Sequence, residues 1–527
     1  MHAEIESSIL SSSTKEFMID KKILCLGNND ESTDRLVSIM ALTNDSINHG
    51  LISASNFMPV HNGYYHTTVI DVPYGSIIQM AQYFDLVIFL DQPKSDWTNW
   101  KLFLSTVKIM QELDQRGHDV VYRDNANVQK MQQFDSFLNN NKSFCIYPWI
   151  NYTEEDGKVS LCVRARKRIG EPGAVTNWKN DPSLQPFRNK MLSGQSIPDF
   201  CSICYDYENK GIESYRQFET KEWVAKLGIT SVDDLDKIER PYYYELRLSN
   251  KCNLMCRGCR PQHSHLIEQE FKKFNIVSPS GPEPMKYSSI DVIDIDTLTP
   301  LSRVYLTGGD PTVIPEVYTF MQRCVDVGRT DFEFTLGINA QKISDKFLAL
   351  TDNFSNLNFS ISLDGYGLVN DYWRWGSDFD TVIANTKLLQ SRGHNISINT
   401  VPGIYNVTNL HLLYEFLDQH FPHTSIYSQI NHMDFQSPYN HPNVDLCLQS
   451  LEKVRQTKMY LSDGKSNKTA IDSLYNHYAN NPQCDWTALA KFFEFNDKLD
   501  SARGSRLKDY IPELEQCRAL LLAQKTH

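Results

Sequence analysis

Three of the chain's twelve cysteines fall within one short segment, Ser249-Asn250-Lys251-Cys252-Asn253-Leu254-Met255-Cys256-Arg257-Gly258-Cys259, spaced C-x3-C-x2-C. No fourth cysteine stands close by. Three thiolates on one loop suit soft iron, and a [4Fe-4S] cube held by three ligands keeps one iron open to chelate another molecule. Structural zinc is the alternative, although such sites are usually closed by four ligands arranged in C-x2–4-C pairs. Lys251 and Arg257 are expected to favour the thiolate form by their charge.

A second set lies upstream. Cys145 is followed by Gly157 and Cys162 in the spacing C-x11-G-x4-C, and then by Cys201-Ser202-Ile203-Cys204. A hairpin turning at Asp156-Gly157 brings Cys145 towards Cys162, and a C-x2-C knuckle closes a four-thiolate site. Four thiolates fit zinc and a closed [4Fe-4S] cluster equally well. Cys25, Cys324, Cys447, Cys484 and Cys517 have no ligand spacing, and Cys25 and Cys324 read as buried core thiols.

The elements that must hold these cysteines follow from hydrophobic period. Residues 1–20 are polar and read as a flexible terminus. Residues 21–135 read as a small αβ domain with Rossmann-like strands at Lys22–Leu26, Tyr64–Val72 and Asp85–Asp91 and helices at Arg35–Leu42 and Trp97–Leu113. The turn after its first strand, Gly27 to Asp30, lacks both G-x-G-x-x-G and a P-loop Gly-Lys-Ser/Thr, so no nucleotide is assigned to it. The Asn- and Gln-rich stretch Asp124–Lys142 reads as a linker, and 144–216 as a cysteine-rich segment of short strands and turns.

From Tyr243 strand and helix alternate regularly. Strands are expected at Tyr243–Ser249, Arg303–Thr307, Phe332–Gly337, Leu357–Leu363, Asn395–Val401 and Thr424–Ile430. The fold class is therefore α/β, a partial (β/α)6 TIM-like barrel over 240–435 followed by a helical extension over 436–527.

On these residues the chain resembles the radical S-adenosylmethionine (radical SAM) superfamily. LSNKCNLMCRGC matches its cluster loop, and Leu306-Thr307-Gly308-Gly309-Asp310-Pro311 resembles its GGEP motif. Ile338-Asn339-Ala340 stands where the family often has TNG, and Ser360-Ile361-Ser362-Leu363-Asp364-Gly365 ends the fourth strand. Asp371 and Arg374 resemble the D-x2-R of peptide-modifying relatives. The resemblance implies cluster ligation by Cys252, Cys256 and Cys259 as the catalytic cysteines. It also implies S-adenosyl-L-methionine contacts from Gly308, Gly309, Asp310, Asn339, Ser362, Asp364 and Arg374, the last pairing with the cofactor carboxylate. Three departures stand out: Gly258 replaces the aromatic before the third cysteine, Asp310 a Glu, and Ala340 a Gly.

The upstream set resembles the twitch form of the SPASM domain, here N-terminal to the barrel. With Trp178, Arg188, Glu208, Gly211, Ser214 and Arg216 it matches the twitch domain-containing radical SAM proteins. That implies an auxiliary [4Fe-4S] cluster on Cys145, Cys162, Cys201 and Cys204, zinc being the lesser alternative. The implied activity is reductive cleavage of S-adenosylmethionine to a 5′-deoxyadenosyl radical that abstracts hydrogen from a substrate, a peptide or protein slightly ahead of a small molecule. The implied partner is a reductant such as flavodoxin or ferredoxin. The rival reading is a non-catalytic iron–sulfur sensor or binding protein, which the Gly258 and Asp310 departures favour.

Composition sets the outer limits. Fifty-two basic against 64 acidic residues give a net charge of −12, the wrong sign for a protein that grips nucleic acid. No stretch approaches the roughly 20 apolar residues of a membrane span, so a cytoplasmic protein is expected. His263 and His265 are expected to cap or flank a helix, Ser264 to play a polar role near the cofactor, and Trp373 and Trp375 to pack.

Overall fold

The computed structural model describes the strands at 23–27, 51–52, 64–68, 86–89 and 119–122, and residues 125–170, 175–209, 213–277, 286–431, 434–462, 465–480 and 483–524. The helices expected at Arg35–Leu42 and Trp97–Leu113, the turn Asn28–Asp30, the terminus 1–20 and Gly211 lie outside the described residues. The chain divides into two compact units. One comprises Met1–Ile146, Met191–Ser196 and Arg216–Ile238, and the other Tyr147–Lys190, Ile197–Tyr215 and Glu239–His527.

The first unit holds a five-stranded sheet of β1 (Ile23–Gly27), β2 (Leu51–Ile52), β3 (Tyr64–Thr68), β4 (Leu86–Phe89) and β5 (Asp119–Tyr122), in the order β2-β3-β1-β4-β5. All its pairings are parallel. The direction of strand order reverses on either side of β1, as in doubly wound sheets. The stretch expected as a linker is instead a helix, α1 (Asn125–Asn140). Val128, Met131, Phe134 and Phe137 recur every three residues along it. Phe134 is buried and Phe137 meets the Phe144 ring edge-on at 5.2 Å. The amide-rich composition masked that stripe.

The second unit is an α/β body around an eight-stranded sheet. In chain order its elements begin with β6 (Asn151–Glu155), β7 (Lys158–Ser160), α2 (Pro198–Asn209), β8 (Tyr243–Arg247) and α3 (His265–Phe274). β9 (Arg303–Thr307), α4 (Pro315–Asp326), β10 (Glu333–Ile338), α5 (Asp345–Thr351) and β11 (Leu357–Ser362) follow. α6 (Leu368–Trp373), α7 (Phe379–Ser391), β12 (Asn395–Thr400), α8 (Leu410–His420) and β13 (Ser425–Ser428) complete the alternation. The sheet order is β13-β12-β11-β10-β9-β8-β6-β7, with only β6 and β7 antiparallel. Four helices, α9 (Val444–Gln456), α10 (Lys465–Asn480), α11 (Trp486–Arg503) and α12 (Pro512–Gln524), make up most of the C-terminal extension.

Two features differ from expectation. The cysteine-rich segment gives β6 and β7 to the main sheet, β6 lying parallel to β8 with Asn151 opposite Tyr243. The hairpin between them does turn at Asp156-Gly157, where both residues have positive φ (55° and 65°), the signature of a two-residue primed turn. The C-x2-C pair forms no knuckle: Cys201 and Cys204 sit three apart on α2 and so share one helix face.

Side chains alternate strictly along β9, β10 and β11. Val304, Leu306, Phe334, Leu336, Phe359 and Ile361 are wholly buried. Phe334 meets Phe320 of α4 at 5.9 Å and Phe359 meets Phe347 of α5 at 5.9 Å, which places the helices on this face. The opposite face carries the functional residues.

Candidate functional site

The cysteine loop leaves the end of β8 and is tied down from four directions. Gly309 donates its N–H to the Ser249 carbonyl at 2.7 Å, and Asp310 donates to Lys251 O at 2.7 Å. Met255 and Arg257 donate to the carbonyls of Trp375 and Trp373 at 2.9 and 2.7 Å. His265 donates its backbone N–H to Asn250 O at 2.8 Å, and its ring Nδ1 accepts from Cys252 N at 3.2 Å. Ser264 N-caps α3, accepting from Ile267 N, and donates to Leu254 O at 3.0 Å. The expectation that these residues flank the first helix thus holds, and they also brace the loop.

The glycine pair is required by close approach. A β-carbon at Gly309 would lie 1.8 Å from Lys251 O, and one at Gly308, whose φ is +129°, 2.5 Å from Ser249 O. No side chain fits there, so the β9–α4 turn lies backbone to backbone against the cysteine loop.

Cys252 is buried and Cys256 and Cys259 are partly so. Burial raises all three thiols, Cys259 to about 12, and the neighbouring Cys256 adds to the rise in both Cys252 and Cys259. Cys252 and Cys259 therefore each lie within electrostatic reach of Cys256. The compensating cations are Arg374 and Arg503 towards Cys256, and Arg374 and Arg247 towards Cys259. This corrects the expected role of Lys251 and Arg257. Lys251 is exposed, and Arg257 is spent elsewhere.

Arg257 is 1% exposed. It donates to Tyr372 O at 2.9 Å, Asn496 Oδ1 at 2.9 Å, Asp500 Oδ1 at 2.6 Å and Ser505 Oγ at 2.9 Å, and lies 3.6 Å above the Tyr372 ring. It is a rivet between the cysteine loop, α6 and α11.

The departure at Gly258 has a physical reason. A β-carbon there would come within 2.7 Å of the Trp373 indole nitrogen, and one at Gly403 within 2.5 Å of the far edge of the same ring. Trp373 is 2% exposed and fills the gap between the two backbones. An aromatic side chain at 258 would need the space that Trp373 occupies.

The other expected cofactor contacts divide. Asp310 is buried with both oxygens engaged: Oδ1 accepts from the Thr312 N–H and hydroxyl, and Oδ2 from Asn339 N at 2.7 Å. Burial raises its carboxyl and these bonds pull it back. Its work is to clamp the end of β9 to the end of β10. Asn339 faces the loop, donating to Asn253 Oδ1 at 2.7 Å. Ala340 adopts φ +55° where the family often has glycine, in the region glycine enters without penalty.

Asp364 accepts from Val401 N at 2.8 Å and pairs with Arg374 Nη2 at 2.7 Å. Burial pushes its carboxyl up while Arg374 pulls it down. Arg374 thus reaches the cysteines already paired, with Nε buried and unpartnered. Ser362 lies at the end of β11 on the same face, half-buried.

The upstream set is brought together in part. Burial raises the Cys162 thiol to about 12, with Cys204 and Cys201 as the next causes. Cys145 is buried and belongs to the other unit. Trp178 donates to Trp149 O at 2.7 Å, and Arg188 donates to Pro148 O at 2.8 Å and to Lys179 O, which makes both structural staples. Ser214 donates to Glu208 at 2.5 Å, and within the first unit Arg216 donates to Phe144 O. Among the described residues, Cys252, Cys256 and Cys259 included, no three His, Cys, Asp or Glu side chains converge as ligands of a single metal ion. Cys324 is wholly buried.

Sequence reasoning missed several supporting residues: Asn253, Asn406, Gln436, Asn496 and Asp500. Asn406 donates to Asp364 O at 2.5 Å, and Gln436 to Arg257 O at 2.8 Å. Lone amides carry no spacing signal.

No family model matches the chain, and no curated protein matches it. Solved structures similar to it include SuiB of Streptococcus suis, at 15% identity over 47% of this chain and 52% of that one, with a TM-score of 0.27. AdoMet-bound anSMEcpe is similar at 14% identity over 46% of this chain and 60% of that one, TM-score 0.30. The radical S-adenosylmethionine methyltransferase TsrM of Kitasatospora setae, with cobalamin and a [4Fe-4S] cluster bound, is similar at 11% over 78% and 75%, TM-score 0.24. The chain spans little more than half the length of SuiB and three fifths of anSMEcpe. At these scores the functional reading rests on the residues of this chain.

Proposed function

We propose that the chain is a radical S-adenosylmethionine enzyme, in which a [4Fe-4S] cluster on Cys252, Cys256 and Cys259 supplies, when bound, the electron for reductive cleavage of S-adenosyl-L-methionine and hence the radical that takes hydrogen from a substrate. The observation that supports this reading is the electrostatic coupling of Cys252 and Cys259 to Cys256 on a loop sealed by the Gly308-Gly309 backbone. Three thiols beside the Arg374 and Arg247 guanidiniums fit an anionic iron–sulfur centre, because those cations offset the charge of the bound thiolates.

The chain's own residues have defined tasks in this reading. Asp310 and Asn339 hold the β9 and β10 ends against the loop, and the bare backbone at Gly308 and Gly309 lets the β9–α4 turn pack directly on the loop backbone. Arg374 presents charge to Cys256 and Cys259 while Asp364 fixes its direction. Trp373 excludes water behind Gly258. The two departures that favoured a non-catalytic protein are thereby accounted for by packing.

Cys162, Cys201 and Cys204 form an auxiliary centre, with Cys145 offered as the fourth ligand by spacing alone; a second [4Fe-4S] cluster is favoured over zinc. The substrate is an unidentified peptide, protein or small molecule, the electron donor a flavodoxin or ferredoxin, and the setting cytoplasmic. No described helix is long and apolar enough to cross a membrane.

Electron paramagnetic resonance of the anaerobically reconstituted, dithionite-reduced protein tests the assignment of both centres. A reduced-cluster signal that shifts on adding S-adenosylmethionine is expected, lost in Cys252→Ala and retained in Cys201→Ala and Cys204→Ala. A shift that survives Cys252→Ala would refute the triplet.

A further inference from the structure

The sheet face that turns away from the helices has an unusual composition. The register from β8 to β13 aligns Arg247 with Thr307, Glu245 with Tyr305 and Thr335, Gly337 with Ser360, and Ser362 with Asn399. Not one aliphatic side chain lies on this face between β8 and β13. Parallel barrels ordinarily pack that interior with Val, Ile and Leu. A face this polar, backed by a largely apolar one, is suited to holding a hydrophilic guest.

Tyr305 is its centre. A β-carbon at Gly337 would come within 2.9 Å of the Tyr305 hydroxyl, so the ring leans across β10 at its one side-chain-free position. That brings the phenol beside Thr307 and on to Ser360 of β11, with the Glu245 and Arg247 charges both on the neighbouring β8. The three hydroxyls come from two strands separated by β10.

Arg247 stands at the mouth of this face. Its stem passes 3.5 Å from a β-carbon built at Gly308, and its guanidinium abuts the His263 ring. Burial and the Arg247 charge lower His263 to about 3, so the ring is neutral and offers no counter-charge. Among the described residues Arg247 has no carboxylate partner. The other two guanidiniums at the cysteine site do: Arg374 pairs with Asp364 at 2.7 Å and Arg503 with Glu270 at 2.6 Å. A cation at the end of a polar face thus has no carboxylate to hold its second side.

We infer that Arg247, with the hydroxyls of Tyr305, Thr307 and Ser360, binds the anionic group of a hydrophilic substrate, a carboxylate or a phosphate. Arg247 supplies the charge and the forked N–H donors, and the hydroxyls supply the remaining hydrogen bonds. Glu245, two residues before Arg247 on β8 and opposite Tyr305, repels an anion and so favours a guest with its anionic end at the Arg247 end of the face, towards the cysteine loop. The inference rests on the proposed function in taking this face as the substrate side of the cysteine site.

Calorimetric titration of the anaerobically reconstituted full chain with inorganic phosphate, with acetate and with S-adenosylmethionine tests it. Saturable binding of phosphate or acetate is expected, and whichever binds more tightly identifies the anion. Arg247→Met should weaken that binding roughly tenfold or more and Tyr305→Phe roughly three- to tenfold, the range for losing charged and neutral hydrogen bonds. In Tyr305→Phe S-adenosylmethionine affinity should stay within about threefold of wild type. Tyr305→Phe removes one oxygen only, so it reports even if Arg247→Met does not fold. Neither anion binding the wild type, or unchanged anion binding in Tyr305→Phe, would overturn the inference. A parallel loss of S-adenosylmethionine binding in Tyr305→Phe would also overturn it, by assigning these hydroxyls to the cofactor. Failure of the wild type to bind S-adenosylmethionine at all counts against the proposed function instead and leaves the anion result to be read by itself.

Discussion

At the scale of single residues, the site is defined as much by what is small as by what is reactive. Gly309, Gly258 and Gly403 each lie where a β-carbon would strike a neighbour, and the last two enclose one ring, Trp373. Gly258→Phe should therefore behave as overpacking and cost about 1–3 kcal/mol in denaturant-induced unfolding. Pairing it with Trp373→Ala should recover part of that loss, and an additive double mutant would show that the two positions do not share space. The cysteine spacings were open to reading from the sequence because ligand spacing is local. The pairing of Arg374 with Asp364 was not: ten positions separate them, and nothing in either residue type says which carboxylate a buried guanidinium will take.

At the scale of elements, the cysteine loop is held by parts distant in sequence. Arg257 fastens it to α11 through Asn496 and Asp500, a separation of more than 230 residues. Removing one partner of a buried ion pair strands the other, so Arg257→Ala should destabilise by about 3–5 kcal/mol. Equilibrium unfolding in urea measures this, and a loss under 1 kcal/mol would mean that water reaches Asp500 freely. The strands of the main sheet were legible because alternation along β9, β10 and β11 is strict and each is followed by a helix with apolar spacing. The entry of β6 beside β8 was not, because parallel pairing is set by packing between segments some 90 residues apart. The polar helix α1 was hidden for the opposite reason: its apolar residues are few and set among many Asn and Gln.

At the scale of the whole molecule, acid should destabilise the chain through a buried histidine. His441 is 1% exposed with Nε2 unpartnered, and burial lowers it from 6.5 to about 4. Between those values the unfolded chain binds a proton that the folded chain refuses. The stabilisation is complete above about 6.5 and is lost as the pH falls towards 4. The urea midpoint should fall across that interval, and less steeply in His441→Gln; identical slopes would absolve this residue.

The central claim concerns what the three clustered thiols do, and product analysis reads it most directly. Anaerobically reconstituted protein, given dithionite and S-adenosylmethionine, should release 5′-deoxyadenosine, and Cys252→Ala, Cys256→Ala and Cys259→Ala should each release none above the protein-free control. Absence of 5′-deoxyadenosine from wild type carrying a full iron and sulfide complement, or equal release by the three variants, would contradict the account.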